Sequence, residues 1–319
     1  MKRVLVTGAS GYLGRQALPG LVARGFEVHG AARRPIAEPG VRWHDVDLLD
    51  QAATERLVDA VRPTHLLHMA WDVGAGFWTS PDNIAWSAAT LTLVRAFQRA
   101  GGERFVSAGS CAEYDWTLPA AALAEDAPRQ PTTFYGTVKD ATRRLVAGYA
   151  REAGLSQAWG VLFLSYGPHE KPDRLVPSVI RRLVAGVEAP TTAGTQLRDF
   201  MDSRDIGAAF AALTDGRVEG DVNIASGEAV SLTTIVTALG EIAGRPGLVR
   251  LGALPMRADD PPRLVADVRR LRDEVGFRPR ISIDQGLADA VDWWRRRARA
   301  DAGAGTSAGA SAANPMTAS

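Results

Sequence analysis

The sequence predicts an α/β protein: a parallel sheet wound by helices on both faces, followed by a smaller C-terminal lobe. Three observations lead there. Up to about Phe163, short β-branched or apolar runs alternate with amphipathic stretches, the pattern of strands joined by crossover helices. A glycine-rich loop separates the first apolar run from the first amphipathic stretch. From Ser165 the rhythm changes to Pro-rich and charged loops (YGPHEKPDR, LPMRADDPPR) between short helical segments.

Taken in order, RVLVT is the first strand and YLGRQALPGLVARG the first helix, stopped by Gly25. Pro19 interrupts that helix, so a kink or irregular turn is expected there, because proline removes a backbone donor. EVHGAA, HLLHMA, ERFVSAG and QAWGVLF are the following strands. Helical periodicity marks NIAWSAATLTLVRAFQRAGG, closed by Gly101 and Gly102, and TTFYGTVKDATRRLVAGYAREAG. Later, GDVNIAS reads as one more strand returning to the sheet. The expected division is residues 1–165, rejoined by 203–226, as the main domain, with 166–202 and 227–298 as the lobe. Residues 299–319 are small and polar without periodicity, and are expected to be disordered.

Composition narrows the function. The 319 residues, 46% hydrophobic and 23% charged, suffice for a large buried core. Lys and Arg number 37 against 36 Asp and Glu, a net charge of +1, so no global field draws the chain to nucleic acid or to a membrane surface. An anionic ligand must be gripped locally. The single cysteine, Cys111, excludes an intramolecular disulfide framework and a Cys-rich metal site, and suits a cytoplasmic location; no metal is expected. No apolar run reaches membrane-spanning length, and MKRVLVTGAS enters the glycine loop too soon to act as a signal peptide.

In TGASGYLG (Thr7 to Gly14), Gly8, Gly11 and Gly14 open the first helix, with Ser10, Tyr12 and Leu13 between them. Glycine lets backbone N–H groups and a helix N-terminus approach a diphosphate. A plain helix-opening turn would also tolerate this spacing, but its place between the first strand and first helix favours a dinucleotide cofactor in a Rossmann-type fold. An acidic residue normally ends the second strand where a ribose 2′-hydroxyl is bound. Here GAARRP supplies Arg33 and Arg34, whose guanidinium forks suit a 2′-phosphate, so NADPH is expected rather than NADH. Asp47 and Leu48 in DVDLLD stand where a carboxylate meets an adenine amino group, and Asp50 is placed to cap the next helix.

Tyr135 and Lys139, four residues apart, share one helix face, while Val138, Ala141, Leu145 and Val146 form a separate apolar stripe. Bringing a tyrosine from its usual pKa to about 7 takes roughly 4 kcal/mol. One ammonium at about 4 Å supplies about 4 kcal/mol at an effective dielectric near 20. Ser110, directly after ERFVSAG, stands at the carboxyl edge of the sheet, where a hydroxyl can hold a substrate oxygen in line for proton transfer. Ser107 reads as structural.

With these residues in hand, the chain resembles an extended short-chain dehydrogenase/reductase of the NAD(P)-dependent epimerase/dehydratase group that acts on nucleotide sugars. The likeness runs from residue 1 to about 297 and rests on TGASGYLG, DVDLLD, HMAW, Ser110, Tyr135-x-x-x-Lys139, YGPHE and LRDF. It implies Tyr135 as catalytic acid and base, Lys139 as its tuner and a nicotinamide-ribose ligand, and Ser110 as the group orienting the carbonyl. It also implies cofactor contacts from Met69, Ala70 and Trp71, and a substrate diphosphate held by Arg198, Arg257 and Arg263. Relatives that are 4,6-dehydratases carry Asp-Glu just after the serine or threonine; here Cys111 and Ala112 stand there, and Glu113 is displaced by one. Related 3,5-epimerase/reductases use a cysteine two residues before the next tyrosine, and a histidine in GPH; here Cys111 lies three before Tyr114, with His169 in GPHE. Trp86 and Leu164 replace asparagines common in the family.

GSCAEYDW together with RLVPSVIRRL most resembles the branch that reduces nucleotide-linked 4-keto-6-deoxyhexoses. The expectation is thus an NADPH-dependent 4-ketoreductase; the alternatives are a 4-epimerase, a reductase of a non-sugar ketone and a non-catalytic NADP-binding redox sensor. Apolar residues beyond one face of the helices near 81–100 and 133–153 predict a homodimer through a four-helix bundle.

Overall fold

The computed structural model describes residues 2–257 and 260–310. Seven strands build the main sheet: β1 (Arg3–Thr7), β2 (Glu27–Ala32), β3 (Val41–Asp45), β4 (His65–His68), β5 (Arg104–Ser110), β6 (Ser156–Leu162) and β7 (Gly220–Ile224). They lie in the order β7-β6-β5-β4-β1-β2-β3, and every neighbouring pair is parallel. The helices are α1 (Gly14–Ala23), α2 (Gln51–Val61), α3 (Asp82–Arg99), α4 (Phe134–Ala153), α5 (Leu175–Ala185), α6 (Ser203–Asp215), α7 (Leu232–Ala243) and α8 (Ile283–Ala310).

Two apolar cores, one on each face, make the sheet doubly wound. Leu18 and Leu21 of α1 join Phe210 and Leu213 of α6 over Val4, Val6 and Val106. On the other face Leu57 and Val58 of α2, Leu93 and Phe97 of α3, and Val146 and Ala150 of α4 cover Leu5, Leu66 and Phe105. Each such Val, Leu or Phe side chain, fully buried, contributes about 1.5–3 kcal/mol. The register sets Ala31, Thr7, His68, Ser107 and Trp159 side by side across five strands. Chain order reverses between β1 and β4, where ligands bind beyond the carboxyl ends of such sheets.

The chain forms two compact units, the first comprising Met1–Ser165, Gln196–Val230 and Pro261–Ile281. Residues 196–202, 227–230 and 261–281, expected in the lobe, therefore belong to the first unit. Side-chain bonds account for it: Asp199 accepts from the backbone N–H of Ser226, Gly227 and Ala266, and Asn223 of β7 donates to the Asp267 carbonyl. In the second unit α5, α7 and α8 pack on one another.

Three local features depart from expectation. β3 was not foreseen: VRWHD is a half-exposed edge strand whose only apolar members are Val41 and Trp43. Pro19 lies inside α1, which runs on to Ala23 without a break, held by buried Ala17, Leu18 and Leu21. α8 continues to Ala310, across part of the stretch expected to be disordered, because alanine at 298, 300 and 302 favours helix without any apolar periodicity. Residues 311–319 lie outside the described residues. Among the described residues no helix is long and apolar enough to cross a membrane, and no group of His, Cys, Asp and Glu is arranged to hold a metal ion.

Candidate active site

The glycine loop is closed by its own backbone. Gly8 has φ +65°, and a Cβ there would lie 2.8 Å from Ala70 N; a Cβ on Gly14 would lie 2.1 Å from the Gly8 carbonyl oxygen. Gly11 N donates to that same oxygen at 2.9 Å. Leu13, which precedes α1, offers no side-chain cap. A helix N-terminus preceded by a tight turn with glycine at 8, 11 and 14 fits a dinucleotide diphosphate. Ser10, Tyr12 and Leu13 are half-buried in the loop. Met69 N donates to Thr7 O at 3.2 Å, which sets Met69 and Ala70 beside it. Arg33 and Arg34 follow β2 and are exposed. Asp47 is exposed and accepts from Leu49 N, Leu48 is buried, and Asp50 caps α2 through Ala53 N at 2.9 Å.

Thr133 starts α4 by accepting from Gly136 N at 3.0 Å, which puts Tyr135 in the first turn and Lys139 one turn on. Tyr135 N donates to Trp78 O at 3.0 Å. Its ring is 6% exposed and meets Phe77, Trp78 and Trp71 edge-on at 4.9, 5.6 and 6.3 Å. Lys139 is 3% exposed; its Nζ donates to Ala108 O at 2.7 Å and lies 4.1 Å from the Trp71 ring centre. Burial pushes the Lys139 ammonium down to about 8, while Glu113 pulls it back up. At neutral pH it stays mostly charged.

Ser110 ends β5, where its Oγ accepts from Ala112 N at 3.2 Å and its N–H donates to Glu113 Oε1 at 2.7 Å. Ser107 is buried, its hydroxyl 3.5 Å from His68 O. His68 bridges Thr7 Oγ1 (2.7 Å) and Thr90 Oγ1 (2.9 Å), and burial, aided by Lys139, pushes it down to about 3. It is neutral and fixes the strand row. Sequence reasoning missed this bridge and the aromatic box around Tyr135; the repeated Trp and Phe in WDVGAGFW were the available signal. Trp86, in place of the family asparagine, stacks on Trp71 at 6.4 Å.

The expected substrate residues fall in both units. Arg198 is buried, donates to Leu197 O at 2.8 Å, and acts electrostatically on Cys111. Burial pushes the Cys111 thiol up to about 12, so it is no thiolate at neutral pH. Arg263 Nε donates to Ala121 O. His169 and Arg257 belong to the second unit, where His169 has φ +70° and packs 4.9 Å from Trp293, and Arg257 is exposed.

A dinucleotide cradle at the switch point of a parallel sheet, beside a buried Tyr-Lys turn, defines an NAD(P)-dependent enzyme of the extended short-chain dehydrogenase/reductase class. Within that class the chain belongs to the NAD dependent epimerase/dehydratase family, whose profile matches residues 4–225. It is 25% identical to the dTDP-glucose 4,6-dehydratase of Xanthomonas campestris pv. campestris, over 91% of this chain and 92% of that one. The UDP-glucose 4-epimerase of Thermus thermophilus, solved with NAD, superposes with TM-score 0.82 at 26% identity, covering 92% of this chain and 99% of that one. MoeE5, solved with UDP-glucose and NAD, reaches 30% identity and TM-score 0.79 over 93% and 99%.

Proposed function

We propose that the protein is an NADPH-dependent reductase of the C4 ketone of a nucleotide-linked 4-keto-6-deoxyhexose. The observation that carries this reading is the tie between α4 and β5: the charged end of Lys139 is bonded to Ala108 O, two residues before Ser110, and sits one helical turn from Tyr135. Gly8, Gly11 and Gly14 would hold a nicotinamide dinucleotide, whose chemistry would be hydride donation. Ser110 orients the ketone oxygen, and as the carbonyl carbon gains the hydride Tyr135 gives its proton to the oxygen, leaving a phenolate beside the Lys139 ammonium. Solvent then restores the phenol. Arg33 and Arg34 support NADPH by offering exposed cations for a 2′-phosphate. Arg198, Arg257 and Arg263 are proposed to hold the substrate diphosphate, and Cys111 and His169 to line the sugar.

Elimination is less well supported. Cys111 and Ala112 hold the places of the dehydratase acid and base, and Glu113 is buried with its oxygens bonded inside the protein. A second reading, 4-epimerisation with a retained cofactor, is favoured by the 26% identity to the Thermus epimerase and by the NAD in both solved relatives. Purified protein mixed with NADPH and a 4-keto-6-deoxy nucleotide sugar separates them. Stoichiometric loss of nicotinamide absorbance is expected; no loss with the ketone, together with inversion at C4 of a 4-hydroxy nucleotide sugar offered in a parallel reaction, would support the epimerase. We also propose a homodimer through α3 and α4, which leave Ile84 and Leu145 61% and 55% exposed; a monomer by light scattering would refute it.

A further inference from the structure

Under the carboxyl end of β5 lies a buried charged chain that the proposed hydride and proton transfers leave without a role. Glu113 is wholly buried, and both of its oxygens are filled by donors. Oε1 accepts from Ser110 N at 2.7 Å and from Trp159 Nε1 at 3.1 Å; Oε2 accepts from Arg129 Nη1 at 2.7 Å, with Arg143 Nε 3.7 Å away. Arg129 continues to Asp221 at 2.7 Å, and Arg143 joins Asp221 (3.0 Å) to Asp140 (2.7 Å). Burial holds the Glu113 carboxyl above the usual carboxylate range despite the pull of Arg129 and Lys139, yet all of its partners are donors and a protonated form would find no acceptor among them. It is therefore held as the carboxylate.

The strand is shaped around this group. A Cβ on Gly109 would lie 2.1 Å from Trp159 Nε1 and 2.8 Å from Glu113 Oε1, so only glycine lets indole and carboxylate meet beneath the chain. The anchored indole in turn lies against Lys139, whose Nζ is 5.2 Å from its ring centre. Glu113 and the neutral His68 act electrostatically on Lys139, and Tyr135 stands one turn before it on α4.

We propose that Glu113 is a positioning residue for the proton-transfer pair, fixing the Ser110 backbone directly and Lys139 through the Trp159 indole. The inference rests on Tyr135 and Lys139 being the acid–base pair. Its negative charge also favours the Lys139 ammonium, and with it the acidity of Tyr135.

The test follows Lys139 itself. Lys2, Lys139 and Lys171 are the chain's lysines, so carbon-13 labelling at Cε resolves Lys139 by NMR in the full-length protein. In wild type its midpoint is expected at about 8. In Glu113→Gln it should fall by about one pH unit, and the alkaline limb of kcat should move with it, a loss of about tenfold above that limb. Trp159→Phe keeps the Glu113–Arg129 pair but removes the indole donor, and should lower kcat severalfold with little change in KM. If Glu113→Gln does not fold, because buried Arg129 loses one of its two carboxylate partners, Trp159→Phe decides alone. An unmoved Lys139 midpoint in Glu113→Gln, or a wild-type kcat in Trp159→Phe, overturns the proposal. A moved midpoint in a protein whose wild type does not turn over ketosugar would sustain the positioning role and sink the assigned reaction instead.

Discussion

The carboxyl ends of β5 and β2 do different work with opposite means. At the end of β5 the polar side chains are buried and bonded: Lys139 to Ala108, Glu113 to Ser110, Trp159 and Arg129, and, in the neighbouring β4, His68 to two threonines. At the end of β2, Arg33 and Arg34 stand exposed beyond the last buried residue, Ala32. The first arrangement fixes geometry before a substrate arrives, which is what proton transfer needs. The second offers exposed charge, to which the proposed function assigns the choice of cofactor, and it can be rewritten without disturbing a core. Changes near β5 should therefore be severe and chemical, whereas changes at the β2 edge should be mild and selective.

The sharpest way to break that contrast is Tyr135→Phe. Phenylalanine fills the same box of Phe77, Trp78 and Trp71, so thermal stability should stay near wild type while kcat/KM falls about a thousandfold. Thermal melts and steady-state assays read the two separately; retained turnover would empty the β5 site of its assigned chemistry. Next in size is an acid effect. His68 is neutral in the fold, with its pKa near 3 against 6.5 in the open chain, so the unfolded state takes up the proton first. Its contribution is full above pH 6.5 and is lost as pH falls toward 3, at up to about 1.4 kcal/mol per pH unit. Urea titrations between pH 7 and 4 on wild type and His68→Asn should show the shallower pH dependence in the variant.

At the other edge, replacing Arg33 and Arg34 by serine should cut the preference for NADPH over NADH by about tenfold or more while kcat with NADH holds. A preference that does not move would assign cofactor choice elsewhere. Smallest of all, Arg42→Ala on β3 removes an exposed partner of Glu27 and should change unfolding free energy by less than about 0.5 kcal/mol by urea titration.

Much of this contrast was legible from residues alone. Short apolar runs between helical stretches marked β1, β2, β4, β5, β6 and β7, and the four-residue spacing of Tyr135 and Lys139 placed them on one helix face. The misses share a cause, which is that they depend on contacts distant in sequence. Glu113 looked like a displaced dehydratase acid until Trp159 and Arg129 were seen to close over it. Residues 261–281 carry no strong periodicity, and contacts distant in sequence join them to the first unit: the hydrogen bonds of Asp199 and Asn223, the pairing of Arg263–Leu264 with Leu197–Arg198, and Leu271 and Phe277 in the core. β3 escaped because an edge strand needs little apolar surface.

The most direct measurement follows the hydride itself, using NADPH deuterated at the transferring position and a 4-keto-6-deoxy nucleotide sugar. The account predicts one deuterium at C4 of the product, one NADP+ formed per turnover, and neither with Tyr135→Phe. A ketone left unreduced with the NADPH unspent, while the corresponding 4-hydroxy nucleotide sugar is inverted at C4 without added cofactor, would contradict it.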